Sequence, residues 1–386
     1  MRIGIDARFF GPVGKGLGRY TQKLVEHLET VADEHARHAP SEGKEPFEFV
    51  VFLRKENIDL FRPRSKRFRK VLADFRWYTL EEQLRFPGVI RAEKIDLMHF
   101  PHFNIPILTP APFVVTIHDL ILLRYPTHRA STLGRTLYRL KYAAYRQVIR
   151  IAAKRSKKII TVSEFTKRDI VRAFRVPESK VVVTYEAAEE PRGESVRVDL
   201  PGKGVVKPYF LYVGNAYPHK NLEALLRVFA KLRKSGMEAQ LVLVGKADYF
   251  YGRLRKEASK LGLTGSDVIF YGYAEDEELP ALYRSARAYV FPSLLEGFGL
   301  PPLEAMRYGT PVAASGTSCL PEILEDAALY FDPEDDDAVA GAMKRIFEDE
   351  SLRAELERKG LAQSEKYSWD DCARRTYDIY RNVTLD

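Results

Sequence analysis

The chain has 386 residues, 45% of them hydrophobic and 30% charged, which is too long for one ordinary core and predicts two domains of soluble type. No apolar run reaches the roughly 18 residues of a membrane-spanning helix, and two cysteines outside any CxxC pattern, Cys319 and Cys372, exclude a disulfide scaffold or a structural zinc from the expectation. The net charge of +8 is unevenly spread, +13 over residues 1–190 and −5 over the rest, which points to a polyanionic surface facing the first half. The opening Arg2-Ile-Gly-Ile-Asp6 reads as a strand rather than a secretion signal. With the reduced cysteines it predicts a cytoplasmic protein.

Short β-branched runs alternate with amphipathic helices along the whole chain, the pattern of an α/β fold with doubly wound parallel sheets. In the first half, strands are predicted at Arg2–Ile5, Phe47–Leu53, Leu97–Phe100, Phe113–Ile117, Lys158–Val162 and Lys180–Val183. In the second they fall at Tyr209–Val213, Gln240–Val244, Val268–Tyr271, Ala288–Phe291, Pro311–Ala314 and Leu329–Phe331. The Gly, Pro and charge-rich stretch between them predicts a linker over 193–207, with domains at 1–192 and 208–369. Two such sheets facing each other make a cleft lined by strand-end loops, where ligands of these folds bind.

The unusual residues fall at strand ends. After the first strand, Gly11-Pro-Val-Gly14-Lys-Gly16-Leu-Gly18 runs into a helix that places Tyr20, Leu24 and Leu28 on one face. Its spacing is not the G-x-G-x-x-G of a dinucleotide fold, so either a tight turn or close approach to a phosphate or sugar explains it. Phe100-Pro-His102-Phe-Asn104 is a polar loop suited to acceptor or sugar contact. His118 ends the strand through Ile117 and is expected as a neutral donor or acceptor toward sugar hydroxyls, or toward charge developing at the anomeric carbon. Asp119 beside it suits a local backbone role or a sugar contact.

In the second half, Gly214-Asn-Ala-Tyr-Pro-His-Lys220-Asn221 precedes a helix. Asn221 is expected to cap that helix, and Lys220 to reach a diphosphate. Gly245-Lys-Ala-Asp248 and Gly272-Tyr273 are placed to flank a nucleobase. Phe291-Pro-Ser-Leu-Leu-Glu296-Gly-Phe-Gly-Leu-Pro-Pro-Leu-Glu304 holds two carboxylates eight residues apart around glycines that open a helix. Bare N–H groups between two carboxylates suit a diphosphate flanked by sugars, which describes a nucleotide sugar. The acidic run Asp332–Asp337 reads as a helix cap in preference to a metal site. Two basic clusters remain: Arg62–Lys70 with Phe75-Arg-Trp77-Tyr78, and Arg135 through Lys158. They are read as solvated surface or as docking sites for anionic lipid, with nucleic acid a weaker alternative because no reading motif accompanies the charge.

These motifs in this order resemble glycosyltransferase family 4, retaining enzymes of the two-domain GT-B fold, and within it bacterial mannosyltransferases. The resemblance rests on the first glycine loop, Ile117-His118-Asp119, Thr161-Val-Ser-Glu164, Gly214 to Asn221, the E-x7-E segment and Tyr367-Ser-Trp369. It implies that helix 370–386 packs back on an acceptor-binding first domain. It implies that Glu296 and His118 are catalytic, with Glu296 on the donor sugar. Gly16, Lys220, Gly297, Phe298, Gly299, Leu300, Glu304 and Tyr273 are then donor-binding, with Glu304 on the ribose. His102, Asn104 and Asp119 are left for acceptor or sugar contact. Implied too are transfer of a hexose, first of all mannose from GDP-mannose, to a glycan or lipid-linked acceptor. No cofactor or metal ion is required, and the protein is expected peripherally on the inner face of the cell membrane. Two departures stand out: His219 and Asn215 where many relatives carry arginine, and Tyr185-Glu186-Ala-Ala where they often carry Asn-Gly. A nucleotide-sugar epimerase, a glycan phosphorylase or a basic lipid- or nucleic-acid-binding protein are the competing readings.

Overall fold

The computed structural model describes residues 1–42, 46–126, 135–189, 198–206 and 208–385. It divides into two compact units. The first holds Met1–Leu123, the stretch ending at Glu186, and everything from Ser368; the second holds Ala187–Tyr367. The predicted linker at 193–207 lies largely outside the described residues; within it, Pro201–Lys203 forms a 3-10 turn closed by Gly204.

The first unit is built on a seven-stranded parallel sheet: β1 (Arg2–Asp6), β2 (Glu48–Leu53), β3 (Phe68–Leu72), β4 (Leu97–Phe100), β5 (Phe113–Thr116), β6 (Ile159–Thr161) and β7 (Val181–Val183), in the order β3-β2-β1-β4-β5-β6-β7. The second has β8 (Tyr209–Val213), β9 (Gln240–Val244), β10 (Val268–Gly272), β11 (Ala288–Phe291), β12 (Val312–Ser315) and β13 (Ala328–Phe331), in the order β10-β9-β8-β11-β12-β13. Both are parallel sheets of Rossmann type, and most strands are buried on both faces, as helical crossovers require. Each order reverses once, between β1 and β4 and between β8 and β11. Ligands of doubly wound sheets bind at such reversals, outside the carboxyl ends of the strands.

β3 is a strand that the sequence pattern hides. Its residues Arg69, Lys70 and Leu72 are exposed, and only Phe68 is fully buried. It is an edge strand paired only with β2, and charged side chains at an edge oppose pairing with other chains. Part of the first basic cluster is also engaged within this unit. Arg64 and Arg67 pair with Glu29 and Asp33, Arg69 with Glu93, and the Lys70 ammonium donates to the Ile58 and Phe61 carbonyls. These cations serve the fold.

The helix Trp369–Leu385 lies in the first unit. It packs on the helix Lys15–Glu42, whose Tyr20, Leu24 and Leu28 are buried. His27 meets Asp370 at 2.8 Å, His35 stacks on Tyr377 at 4.4 Å, and Arg374 pairs with Glu34 at 2.6 Å.

Candidate functional site

In the first unit, the loops after β1 and β4 flank the sheet's reversal. The glycines after β1 separate into two kinds. Gly11 has φ +81°, while a Cβ at Gly14 or Gly18 would lie 2.1 Å from a backbone oxygen of Phe9 or Gly11, so these three are demanded by the turn itself. Gly16 is exposed, with nothing within 4 Å of where its Cβ would be. Of the four, it alone has its lack of a side chain unexplained by packing.

His118 follows β5 and is pinned on both sides. Its Nδ1 lies 3.0 Å from Glu186 Oε1 and its Nε2 3.0 Å from the Pro101 carbonyl. The ring of Tyr20 meets it edge-on at 4.5 Å. Two oxygen acceptors can both be satisfied only by an imidazolium, in which both nitrogens donate. Burial works against that charge, but Glu186, the Pro101 carbonyl and Asp119 outweigh it, and the pKa is raised. The surroundings therefore favour the protonated form of the imidazole over the neutral one. The neighbouring imidazoles go the other way: burial, helped by the charge on His118, pushes His99 and His102 down to about 3.

The remaining first-unit candidates separate. His102 is partly exposed, with Nε2 2.6 Å from the Tyr78 hydroxyl and its ring against Phe9, whose ring stacks on Trp77. Trp77 and Tyr78 therefore belong to the strand-end loops, with Tyr78 held at φ +62° by its N–H donating to Glu82. Asn104 turns inward instead. It is buried and donates to Glu82 Oε1, which also takes the fully buried Arg8 guanidinium. That guanidinium grips both oxygens of Asp6, so Asn104 belongs to a buried ionic network rather than to a sugar contact. Asp119 Oδ1 accepts from the Ile121 N–H, a turn-fixing bond.

In the second unit, the loops after β8 and β11 flank the reversal, and the chemistry lies there. Pro218–Lys220 forms a 3-10 turn, and the Lys220 ammonium donates to Glu296 Oε1 at 2.6 Å while lying 5.2 Å from the centre of the Phe291 ring. Glu296 is buried, and its N–H donates to the Ser318 hydroxyl. Asn221 is not the side-chain cap expected. It adopts φ +57°, and its amide donates to the Pro333 carbonyl, tying the lysine turn down from behind.

The helix Leu300–Arg307 starts after Gly299, at φ +91°, where a Cβ would also lie 2.5 Å from Leu320. Pro301 and Pro302 carry no N–H, so the amides on the loop side of this end are those of Gly297 to Leu300. Phe298 is buried against Tyr367. Glu304, one turn in, accepts from the Tyr283 hydroxyl at 3.2 Å. Tyr273 is 63% exposed beyond Gly272, which turns the chain at φ +88°. Two neighbours prove structural: Asp248 caps the helix Tyr249–Lys260, and Asp335 caps Asp336–Glu348. Among the described residues no three His, Cys, Asp or Glu side chains converge as a metal cluster.

Sequence reading missed Glu186, Tyr20 and Tyr283. The one signal available was the unusual Tyr185-Glu186-Ala-Ala after β7, whose partner is 68 residues away.

Two Rossmann-ordered parallel sheets, with a lysine and spaced carboxylates at the reversal of the second, define a class: glycosyltransferases of GT-B fold. These enzymes move a sugar from a nucleotide-sugar donor to an acceptor. The chain belongs to this family, residues 14–189 matching Glycosyltransferase Family 4 and residues 201–363 matching Glycosyl transferases group 1. It is 32% identical over 379 residues to O-antigen chain mannosyltransferase B of Escherichia coli, spanning 95% of this chain and 96% of that protein. It is 28% identical to O-antigen chain mannosyltransferase RfbU of Salmonella typhimurium, over 87% and 88% of the two chains. Among solved structures, sucrose-phosphate synthase from Thermosynechococcus elongatus superposes with a TM-score of 0.76 at 20% identity, covering 100% of this chain and 99% of that one. At that identity the likeness speaks for the fold alone.

Proposed function

We propose that the protein is a retaining, metal-independent mannosyltransferase that uses GDP-mannose and extends a glycan or lipid-linked acceptor at the cytoplasmic side of a membrane. The observation that carries the donor site is the contact of Lys220 with Glu296 across the reversal of the second sheet. The pair offers a cation for the diphosphate and a carboxylate for sugar hydroxyls within one hydrogen bond's length. Glu304 holds the ribose, Tyr273 lies against the base, and the Gly297–Leu300 amides take sugar and phosphate, with Phe298 fixing that loop. The similarity to proteins named mannosyltransferases supports mannose; Gly16 is assigned to the phosphate.

The acceptor is assigned to the first unit, beside His102 and Tyr78. In the reaction the anomeric carbon–oxygen bond to the diphosphate breaks, and a bond to the acceptor oxygen forms on the same face. The acceptor's proton passes to the departing phosphate oxygen. Lys220 and the loop amides stabilise the charge on the leaving nucleoside diphosphate, the role a metal ion fills in other enzymes. Preorganised donors of this kind are worth about 3–4 kcal/mol each. His118 serves as a fixed cation on the acceptor side.

The roles separate kinetically. Glu304→Ala is expected to raise donor KM with kcat largely kept. Glu296→Ala is expected to lower kcat about a hundredfold or more, without weakening donor binding, because it also frees Lys220. The reversed pattern assigns the carboxylates the other way round. Product anomeric configuration by NMR tests retention, and donor consumption without acceptor would favour an epimerase.

A further inference from the structure

The loop after β12 grips the strand end that carries Glu296. β12 ends at Ser315, and from there three hydroxyl side chains meet the segment that follows β11. The Ser315 hydroxyl, fully buried, donates to the Ser293 carbonyl at 2.5 Å. The Thr317 hydroxyl donates to the carbonyls of Ser293 and Leu294, at 3.4 and 3.3 Å. Ser318 completes the set in the opposite sense, its Oγ accepting from the Glu296 N–H at 3.2 Å. Two residues on, Leu320 closes against Gly299, the residue that opens the helix Leu300–Arg307. The grip extends to the lysine as well: the Leu294 N–H donates to the His219 carbonyl at 2.8 Å, directly before Lys220. Both members of the Lys220–Glu296 pair are thus tied to one short stretch of chain, and that stretch is tied down by three hydroxyls.

Ser318 is the unusual member. It stands at φ +57°, in the left-handed region that glycine occupies freely and a serine does not. Beyond its Cβ the side chain is one hydroxyl, and the bond that hydroxyl accepts comes from Glu296. Cys319 beside it is buried, its thiol pushed up by burial and by the charge on Glu296, so a neutral thiol lies near that carboxylate. Backbone strain persists where the surroundings over-determine it, and it gathers where a site needs one geometry. A group that must meet a reacting sugar is held by the residues behind it, and a displacement of about 1 Å there is enough to cost much of the rate.

On the reading that Glu296 is catalytic, we propose that Ser318 is a positioning residue for sugar transfer. Its hydroxyl, carried at a strained φ, fixes the Glu296 backbone so that the carboxylate faces Lys220 and the donor sugar in one orientation.

Two substitutions separate the hydroxyl from the strain. Ser318→Ala removes the hydroxyl and leaves a side chain in the left-handed region; Ser318→Gly removes both. Ser318→Gly is therefore expected to melt above Ser318→Ala, while kcat falls alike in both, about tenfold, with donor KM kept. Rates are read as hydrolysis of GDP-mannose or UDP-glucose, whichever raises the melting temperature more. In a Glu296→Ala background, Ser318→Ala is expected to lower kcat no further, as follows when one residue acts through another. Activity that tracks the melting temperatures, with Ser318→Gly as active as the wild type, would overturn the proposal, and so would losses that multiply in the double variant. A Glu296→Ala variant with wild-type kcat removes the role of Glu296 itself, and that of Ser318 falls with it. An impaired Glu296→Ala variant beside fully active Ser318 variants leaves Glu296 its role and strikes Ser318 alone.

Discussion

Glu186 holds the key to how His118 behaves. A histidine whose folded pKa is raised adds stability that is full below its unfolded pKa, about 6.5, and lost as pH rises through the raised value. Activity that depends on the imidazolium follows the same window, persisting above pH 6.5 before it falls. Glu186→Gln keeps the shape and removes the charge. It is expected to move both the His118 titration, followed by NMR, and the alkaline fall in activity to lower pH. A titration that moves while the activity profile stays would separate the cation from the chemistry. The pairing was not legible in the sequence, because the two residues come from different strand ends, β5 and β7. Lys220, Glu296 and Glu304 could be singled out as candidates because their local spacing and glycine setting are distinctive. What spacing could not convey is that Lys220 and Glu296 bond to each other, or that Asn104 donates to Glu82, the carboxylate paired with buried Arg8.

At the scale of elements, the two kinds of glycine after β1 make opposite expectations. Gly18→Ala puts a methyl 2.1 Å from the Gly11 carbonyl oxygen, and overpacking against backbone is expected to cost about 1–3 kcal/mol, read by denaturant unfolding. Gly16→Ala meets nothing and sits in the first turn of a helix, so stability should hold or rise by up to about 1 kcal/mol. If Gly16 approaches the donor, its variant loses activity while remaining folded; full activity removes it from the site. The strands predicted from β-branched runs match the structure because most of them are buried on both faces and rich in apolar residues. β3 escaped because an edge strand has a solvent side, and Arg69-Lys70 broke the pattern that identifies a strand. The strand order, and with it the two reversals where the candidate residues gather, is a property of crossovers that no local pattern records.

For the whole molecule, the split of charge first suggested a broad polyanion-facing half. The structure divides its cations between those paired with carboxylates around β3 and those exposed on the helix Arg135–Arg155. Donor identity is also a whole-molecule measurement. A nucleotide sugar at 100 times its dissociation constant stabilises the folded chain by about 2.7 kcal/mol, and GDP-mannose is expected to give the largest rise in melting temperature. A larger shift with UDP-glucose would reassign the donor.

The helix Trp369–Leu385 reaches past the entire second unit to finish the first. Tyr380 closes over buried His99 at 2.6 Å, Tyr377 packs on Phe47 and Phe49 at β2, and Cys372 is buried. On the ribosome, synthesis runs from the amino end, so the first unit is begun first and completed last. Its nascent sheet waits, with the ground for that helix uncovered, while some 180 further residues are translated and the second unit folds. A chaperone that shelters the emerging chain has most to protect in that interval.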